Sequence, residues 1–201
     1  MKKVIIIGAT GTIGNAVCKK LTSSGYQVIT ISRSSQISVD ISDIESIRNM
    51  YKVIGAFDDL ISTTGKVAFK PIQEMSYADF MLGLTNKLMG QVNLVQEGLK
   101  YIKKEGSFTL TTGILNHEPI ALGSSAAMVN AAIEGYVKAA SLELREKARI
   151  NAVSPTVITE ALDKYASFFA GFKSISADEA ALAYLKSVAG IETGKVFHVG
   201  F

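Results

Sequence analysis

The chain has one cysteine among 201 residues, so no disulfide can form within it, and its chemistry suits a reducing compartment. That residue, Cys18, falls inside a helical apolar pattern and reads as a structural thiol rather than a nucleophile. Long hydrophobic runs are missing too. Val4-Ile5-Ile6-Ile7 stops after four residues at a glycine-rich turn, far short of a signal core or a membrane span. A cytoplasmic protein without a membrane partner is the expectation. Charge of one sign is not concentrated either. The net charge is +3, and the lysines and arginines are scattered, which reads as a solvated surface and not as a nucleic-acid footprint. Finally, none of the seven tyrosines has lysine four residues on; those positions hold Thr30, Gly55, Met81, Glu105, Ala140, Phe169 and Val188. A Tyr–Lys pair one helical turn apart is therefore excluded.

What is present is strand–helix alternation from end to end. Apolar or β-branched runs predict strands at 4–7, 28–31, 39–41, 60–61, 107–112, 151–153 and 196–199. Helical patterns cover 15–21, 42–50, 77–103, 124–145 and 177–188, the second opened by Ser42 as N-cap with Glu45 completing a capping box. With 48% apolar residues, one substantial core is affordable. The expectation is an α/β protein: a single-domain Rossmann fold over residues 1–201, with a doubly wound parallel sheet.

The first strand runs into Gly8-Ala9-Thr10-Gly11-Thr12-Ile13-Gly14, which then opens a helix. Glycines here let backbone N–H groups approach a pyrophosphate, and the helix N-terminus adds positive partial charge. The spacing is GxxGxxG, looser than GxGxxG, but its place at the first strand of an alternating chain makes it a strong sign of dinucleotide binding. Ser32-Arg33-Ser34 follows the second strand, where a carboxylate would select NAD. An arginine flanked by hydroxyls attracts a 2′-phosphate instead, so NADP is favoured over NAD.

With these features the chain resembles the short-chain dehydrogenase/reductase superfamily along essentially its whole length. Asp40-Ile41 stands where the family contacts adenine. Leu60-Ile61-Ser62-Thr63-Thr64-Gly65 resembles the family's Leu-Val-Asn-Asn-Ala-Gly turn, keeping only the last glycine of its polar signature. Arg149-Ile150-Asn151-Ala152-Val153-Ser154-Pro155 resembles Ile-Arg-Val-Asn-Ala-Val-Ser-Pro-Gly. The resemblance implies that Pro155, Thr156, Val157 and Ile158 fold over the nicotinamide, and that Ser62, Thr63 and Gly65 border the cofactor. Ala131-Ala132-Ile133-Glu134-Gly135 fixes the register of the active-site helix. That register puts Ala126 at the family's catalytic tyrosine and Asn130 at its lysine. The serine falls at Thr112 or Gly113, and the asparagine of the preceding helix falls at Lys87.

All four members of the usual catalytic set are thus replaced. Ala126 offers no proton, whereas Asn130 still offers an amide to the ribose hydroxyls. Lys87 is a candidate acid or electrostatic stabiliser, Thr112 a candidate oxyanion donor, and His117 a loop histidine near the expected substrate entrance. No metal site is expected. Too few residues separate the second and third strands for the family's usual helix, and the lid segment after Pro155 is short. Its aromatics Tyr165, Phe168, Phe169 and Phe172 read as core or subunit contacts ahead of a roof over substrate. Apolar residues on several faces of the two long helices, which pair across a two-fold axis in the family, imply a homodimer or homotetramer. Three functions stay open: an oxidoreductase acting on a small carbonyl or alcohol, an NADP-binding regulator without turnover, and a non-redox enzyme that uses the cofactor structurally.

Overall fold

A computed structural model describes residues 1–201, the side chain of Lys164 excepted. Six strands form one sheet in the order β2-β1-β3-β4-β5-β6, every neighbouring pair parallel. They are β1 (Lys3–Ile7), β2 (Gln27–Ile31), β3 (Phe57–Ser62), β4 (Ile102–Thr111), β5 (Ala148–Pro155) and β6 (Val196–Val199). Side chains alternate across a strand, and β1 shows the result. Val4 and Ile6 belong to a core shared with Val17, Leu21, Ala180 and Tyr184, beneath α1 (Thr12–Ser23) and α6 (Ala177–Ala189). Ile5 and Ile7 enter the opposite core with Met50, Tyr51, Leu94 and Ile133. That side is covered by α2 (Ile44–Ile54), α4 (Gly90–Gly98) and α5 (Ser124–Glu143). Because both faces are covered, β1 is apolar without a break from Val4 to Ile7.

The strand expected at 39–41 does not form. The only pairing near it is an isolated Ser32–Ser38 bridge, because a parallel neighbour needs a crossover of roughly a dozen residues or more. Hydroxyls close the short connection instead: Ser35 Oγ donates to the Ile37 carbonyl at 2.6 Å and accepts from the Ser32 N–H at 2.7 Å. Val39 and Ile41 are nonetheless buried and plug the sheet's flank. The cap of α2 also differs from expectation. Asp43 accepts from the Glu45 N–H at 2.9 Å, while the Ser42 hydroxyl is held by Asn86 at 2.7 Å. A full capping box occurs at Ser76 and Asp79, opening α3 (Tyr77–Leu82).

The long helix expected over 77–103 ends at Gly98, and β4 takes Ile102 onward by pairing it with Phe57. Between α3 and α4, Gly83–Met89 forms a π-helical stretch, a wider turn that often marks functional positions. Lys87 lies in it.

Candidate active site

The chain runs from β1 to β2 on one side and from β3 to β4 on the other, so the sheet's switch point lies between β1 and β3. Ligands of open α/β sheets sit at the carboxyl ends of strands at such a point. Ile7 is paired with both Ile31 and Ser62, which brings the ends of β1, β2 and β3, and the turns that follow them, to one edge.

The glycine turn shapes that edge. Gly8 has φ of 85° and donates to the Ile31 carbonyl at 2.8 Å. A Cβ on Gly14 would overlap the Gly8 carbonyl, so only glycine lets α1 begin this close to the strand. Gly11 is the N-cap of α1, and no side chain caps it; the first-turn N–H groups are left to a ligand. A cavity of about 350 Å³ lies beside it, lined by Gly8, Thr10 and Gly11, by Ser32 and Arg33, by Asp40 and Ile41, and by Thr63 and Gly65. Thr12 borders an adjoining depression with Thr10 and Gly11. The Asp40 carboxyl is held below its usual range, first by hydrogen bonds from Ser42 and then by Arg33 and Lys66 nearby.

Two expected residues, Ser62 and Ser34, do not line this cavity. Ser62 is fully buried, its hydroxyl paired with Thr64 Oγ1 at 2.8 Å and its carbonyl accepting from Thr111 Oγ1. Ser34 is exposed and donates its N–H to Ser32 Oγ at 3.2 Å. Lys66 and Asn86, which the sequence reading missed, line the cavity as well.

A second cavity, of about 260 Å³, opens further along the same edge. It gathers Ile13, Lys87, Thr112, Asn130, Pro155 and Val157. The two spaces meet where a Cβ on Gly65 would overlap the Lys87 stem. Lys87 is half-buried as a residue, yet its ammonium is sunk so deep that lost hydration pulls its pKa from 10.5 to about 8. Nζ donates to the Thr112 carbonyl at 3.2 Å. Thr112 Oγ1 has only a 3.4 Å contact with the Val153 carbonyl, too long to hold it firmly.

Asn130 Nδ2 donates to the Gly113 carbonyl at 3.0 Å, whereas its Oδ1 is buried without a hydrogen-bond partner. An orphaned acceptor in a cavity wall is costly unless a ligand donor meets it. Together with the glycine cradle, it fits the dinucleotide that the sequence resemblance implies.

Ala126 packs with Ile114 and Leu115, an apolar patch at the tyrosine position. Phe69, Tyr165 and Phe169 extend the apolar wall of this cavity; Tyr165 and Phe169 therefore face it, as in the roof alternative, ahead of which core or subunit contacts were expected. Phe168 is exposed, and Phe172 stacks edge-on against Phe169. His117 does not line the cavity but pairs with Glu134 at 3.0 Å.

Gln91, unremarked in the sequence, fixes the geometry. Its Nε2 donates to the Lys87 and Thr111 carbonyls, and its Oε1 accepts from the Thr111 N–H at 2.8 Å. The π stretch carrying Lys87 is thereby bolted to the strand that delivers Thr112. A larger depression, lined by Lys2, Lys104, Arg145 and Arg149, lies at the amino ends of the strands, away from this edge.

Comparisons with known proteins agree with this layout. The family described as enoyl-(acyl carrier protein) reductase matches residues 8–195. The protein lin1944 from Listeria innocua, of known crystal structure, is 42% identical, with a TM-score of 0.96 over 98% of this chain and 99% of its own. A small-chain dehydrogenase crystallised with NADPH is 30% identical, with a TM-score of 0.89 over 98% of this chain and 96% of its own. The short-chain dehydrogenase/reductase ucsE of Acremonium sp. is 26% identical, spanning 82% of this chain and 76% of that protein. From its sheet, its glycine cradle and these relatives, the chain belongs to the short-chain dehydrogenase/reductase superfamily.

Proposed function

We propose that the protein is an NADP-dependent oxidoreductase of a small carbonyl or alcohol substrate, in which Lys87 carries the proton that tyrosine carries elsewhere in the superfamily. The observation that carries this reading is a buried ammonium, with pKa near 8, in the same cavity as Thr112 and Asn130. A lysine tuned towards neutrality by desolvation both stabilises a developing alkoxide and gives up a proton readily. When bound, the dinucleotide supplies or accepts the hydride. Thr112 Oγ1, loosely held, donates to the substrate oxygen. Asn130 Oδ1 accepts from a ribose hydroxyl, and Arg33 with Ser32 receives the 2′-phosphate, in keeping with the NADPH complex of the 30% identical relative.

The whole chain is proposed to act as one cofactor-binding domain within a homodimer or homotetramer. Exposed Met89, Met128 and Leu142 on and beside α4 and α5 are in keeping with that assembly. A second reading is favoured by Ala126, whose apolar packing removes the usual proton donor: the protein binds NADP and does not turn it over. Titration with NADPH and NADH, followed by a carbonyl panel read by nicotinamide absorbance, separates the two. Turnover that is lost in Lys87→Met supports the enzyme. Tight NADPH binding without oxidation across the panel supports the regulator.

A further inference from the structure

On the far side of the loop after β4, three residues distant in sequence converge. His117 Nε2 lies 3.0 and 3.2 Å from the two carboxylate oxygens of Glu134. The His198 ring meets that of His117 edge-on, with centroids 4.6 Å apart. One nitrogen or oxygen from each residue lies within 4.8 Å of the others. We propose that His117, Glu134 and His198 form a binding site for a divalent transition-metal ion of the zinc type, with the fourth position open to solvent.

The donor set fits this ion. Two imidazoles and a carboxylate suit zinc and its neighbours and not calcium or magnesium, which take oxygen shells. Bonds of about 2.0–2.2 Å place tetrahedral ligands a little over 3 Å apart. The His117–Glu134 pair is already at that separation, and the exposed His198 reaches it by a side-chain rotation. Glu134 supplies an independent argument. It is 4% exposed, and its only ion-pair partner among the described residues is His117. A buried carboxylate calls for a cation. Phe201 packs against both rings, tilted on His117 at 5.7 Å and edge-on to His198 at 4.9 Å between centroids, and shields one side. The opposing charges are Lys138 and Lys195, each near enough to bear on His198.

The location gives such an ion a task. Asn130 and Glu134 stand one turn apart on α5. The first holds the Gly113 carbonyl and the second holds His117, so both ends of the 113–117 loop are tied to one helix face. Ile114 and Leu115, between those ties, line the cavity with Lys87. A metal would lock this loop and join it to β6 through His198.

The test uses the full chain without a polyhistidine tag, stripped with chelator, and cobalt(II) or zinc(II) chloride as probe. The expected result is one ion per chain, a cobalt ligand-field band without a thiolate charge-transfer band, and a zinc-dependent rise in melting temperature. His198→Gln and His117→Gln should each weaken binding by more than about tenfold, since even outer-shell losses cost that much. Absence of the cobalt band in the unaltered protein overturns the proposal whether or not the variants fold. So does binding that survives both substitutions, or a thiolate band pointing to Cys18. None of these readouts involves NADP or turnover, so this proposal and the functional reading fail separately.

Discussion

Replacing Lys87 by methionine should make the protein more stable at neutral pH while ending any turnover. Lowering the pKa from 10.5 to about 8, at about 1.4 kcal/mol per unit, means that holding the charged form in the fold costs about 3 kcal/mol. The hydrogen bond to the Thr112 carbonyl returns about 1 kcal/mol, leaving a net gain of about 2 kcal/mol for Lys87→Met, whose unbranched side chain retraces the lysine stem. For a chain of this size that is a rise of roughly 4–8 °C in melting temperature. The pH dependence gives the sharper signature. The folded pKa is depressed, so the unfolded chain binds more protons between about 8 and 10.5. The penalty is full below about 8 and fades as pH rises towards 10.5. Denaturant unfolding of both proteins at pH 7 and pH 10 should therefore show the variant's advantage shrinking with pH, while all other titrations cancel in the difference. A variant no more stable at pH 7, with a difference independent of pH, refutes the buried-ammonium account and with it the proposed acid.

Arg33→Ala should weaken NADPH binding about 10- to 100-fold and leave NADH unchanged, as follows from losing a charge-assisted contact of about 1.5–3 kcal/mol; calorimetric titration reads it, and equal losses for both cofactors would contradict the 2′-phosphate role. Gly14→Ala forces a methyl into the Gly8 carbonyl; it should abolish binding of both dinucleotides and cost about 1–3 kcal/mol in unfolding experiments. Gln91→Leu strands the Thr111 N–H and carbonyl in the interior, so a loss of at least about 1–3 kcal/mol is expected, together with reduced kcat if Lys87 is no longer held in place.

The sheet and the cofactor cradle were legible because each rests on local sequence. Val4-Ile5-Ile6-Ile7 suits a buried strand whatever surrounds it, and Gly8 and Gly14 mark a turn that other residues cannot make. Residues 39–41 misled because their apolar pattern reports burial, which is correct, while pairing depends on the length of the connection before them. Ser42 looked like a cap by type, yet Asn86, distant in sequence, claims its hydroxyl. Gln91 left no sequence signal, and nothing in the sequence showed that Glu134 and His198 converge on His117. Their partners come from other elements, and only the completed fold brings them together.

The missing strand at 39–41 has a consequence for how copies of the chain meet. β2 pairs with β1 alone, so one side of its backbone ladder is open along five residues. Such a rim is a template on which a strand from another molecule can dock, and proteins usually blunt it with charge, proline or a covering segment. Gln-Val-Ile-Thr-Ile carries no charge or proline, and what guards its far end is the serine-bonded loop with the buried Val39 and Ile41. The short connection thus leaves this edge strand with an open ladder over most of its length, so crowding, heating or concentration should act first along that rim.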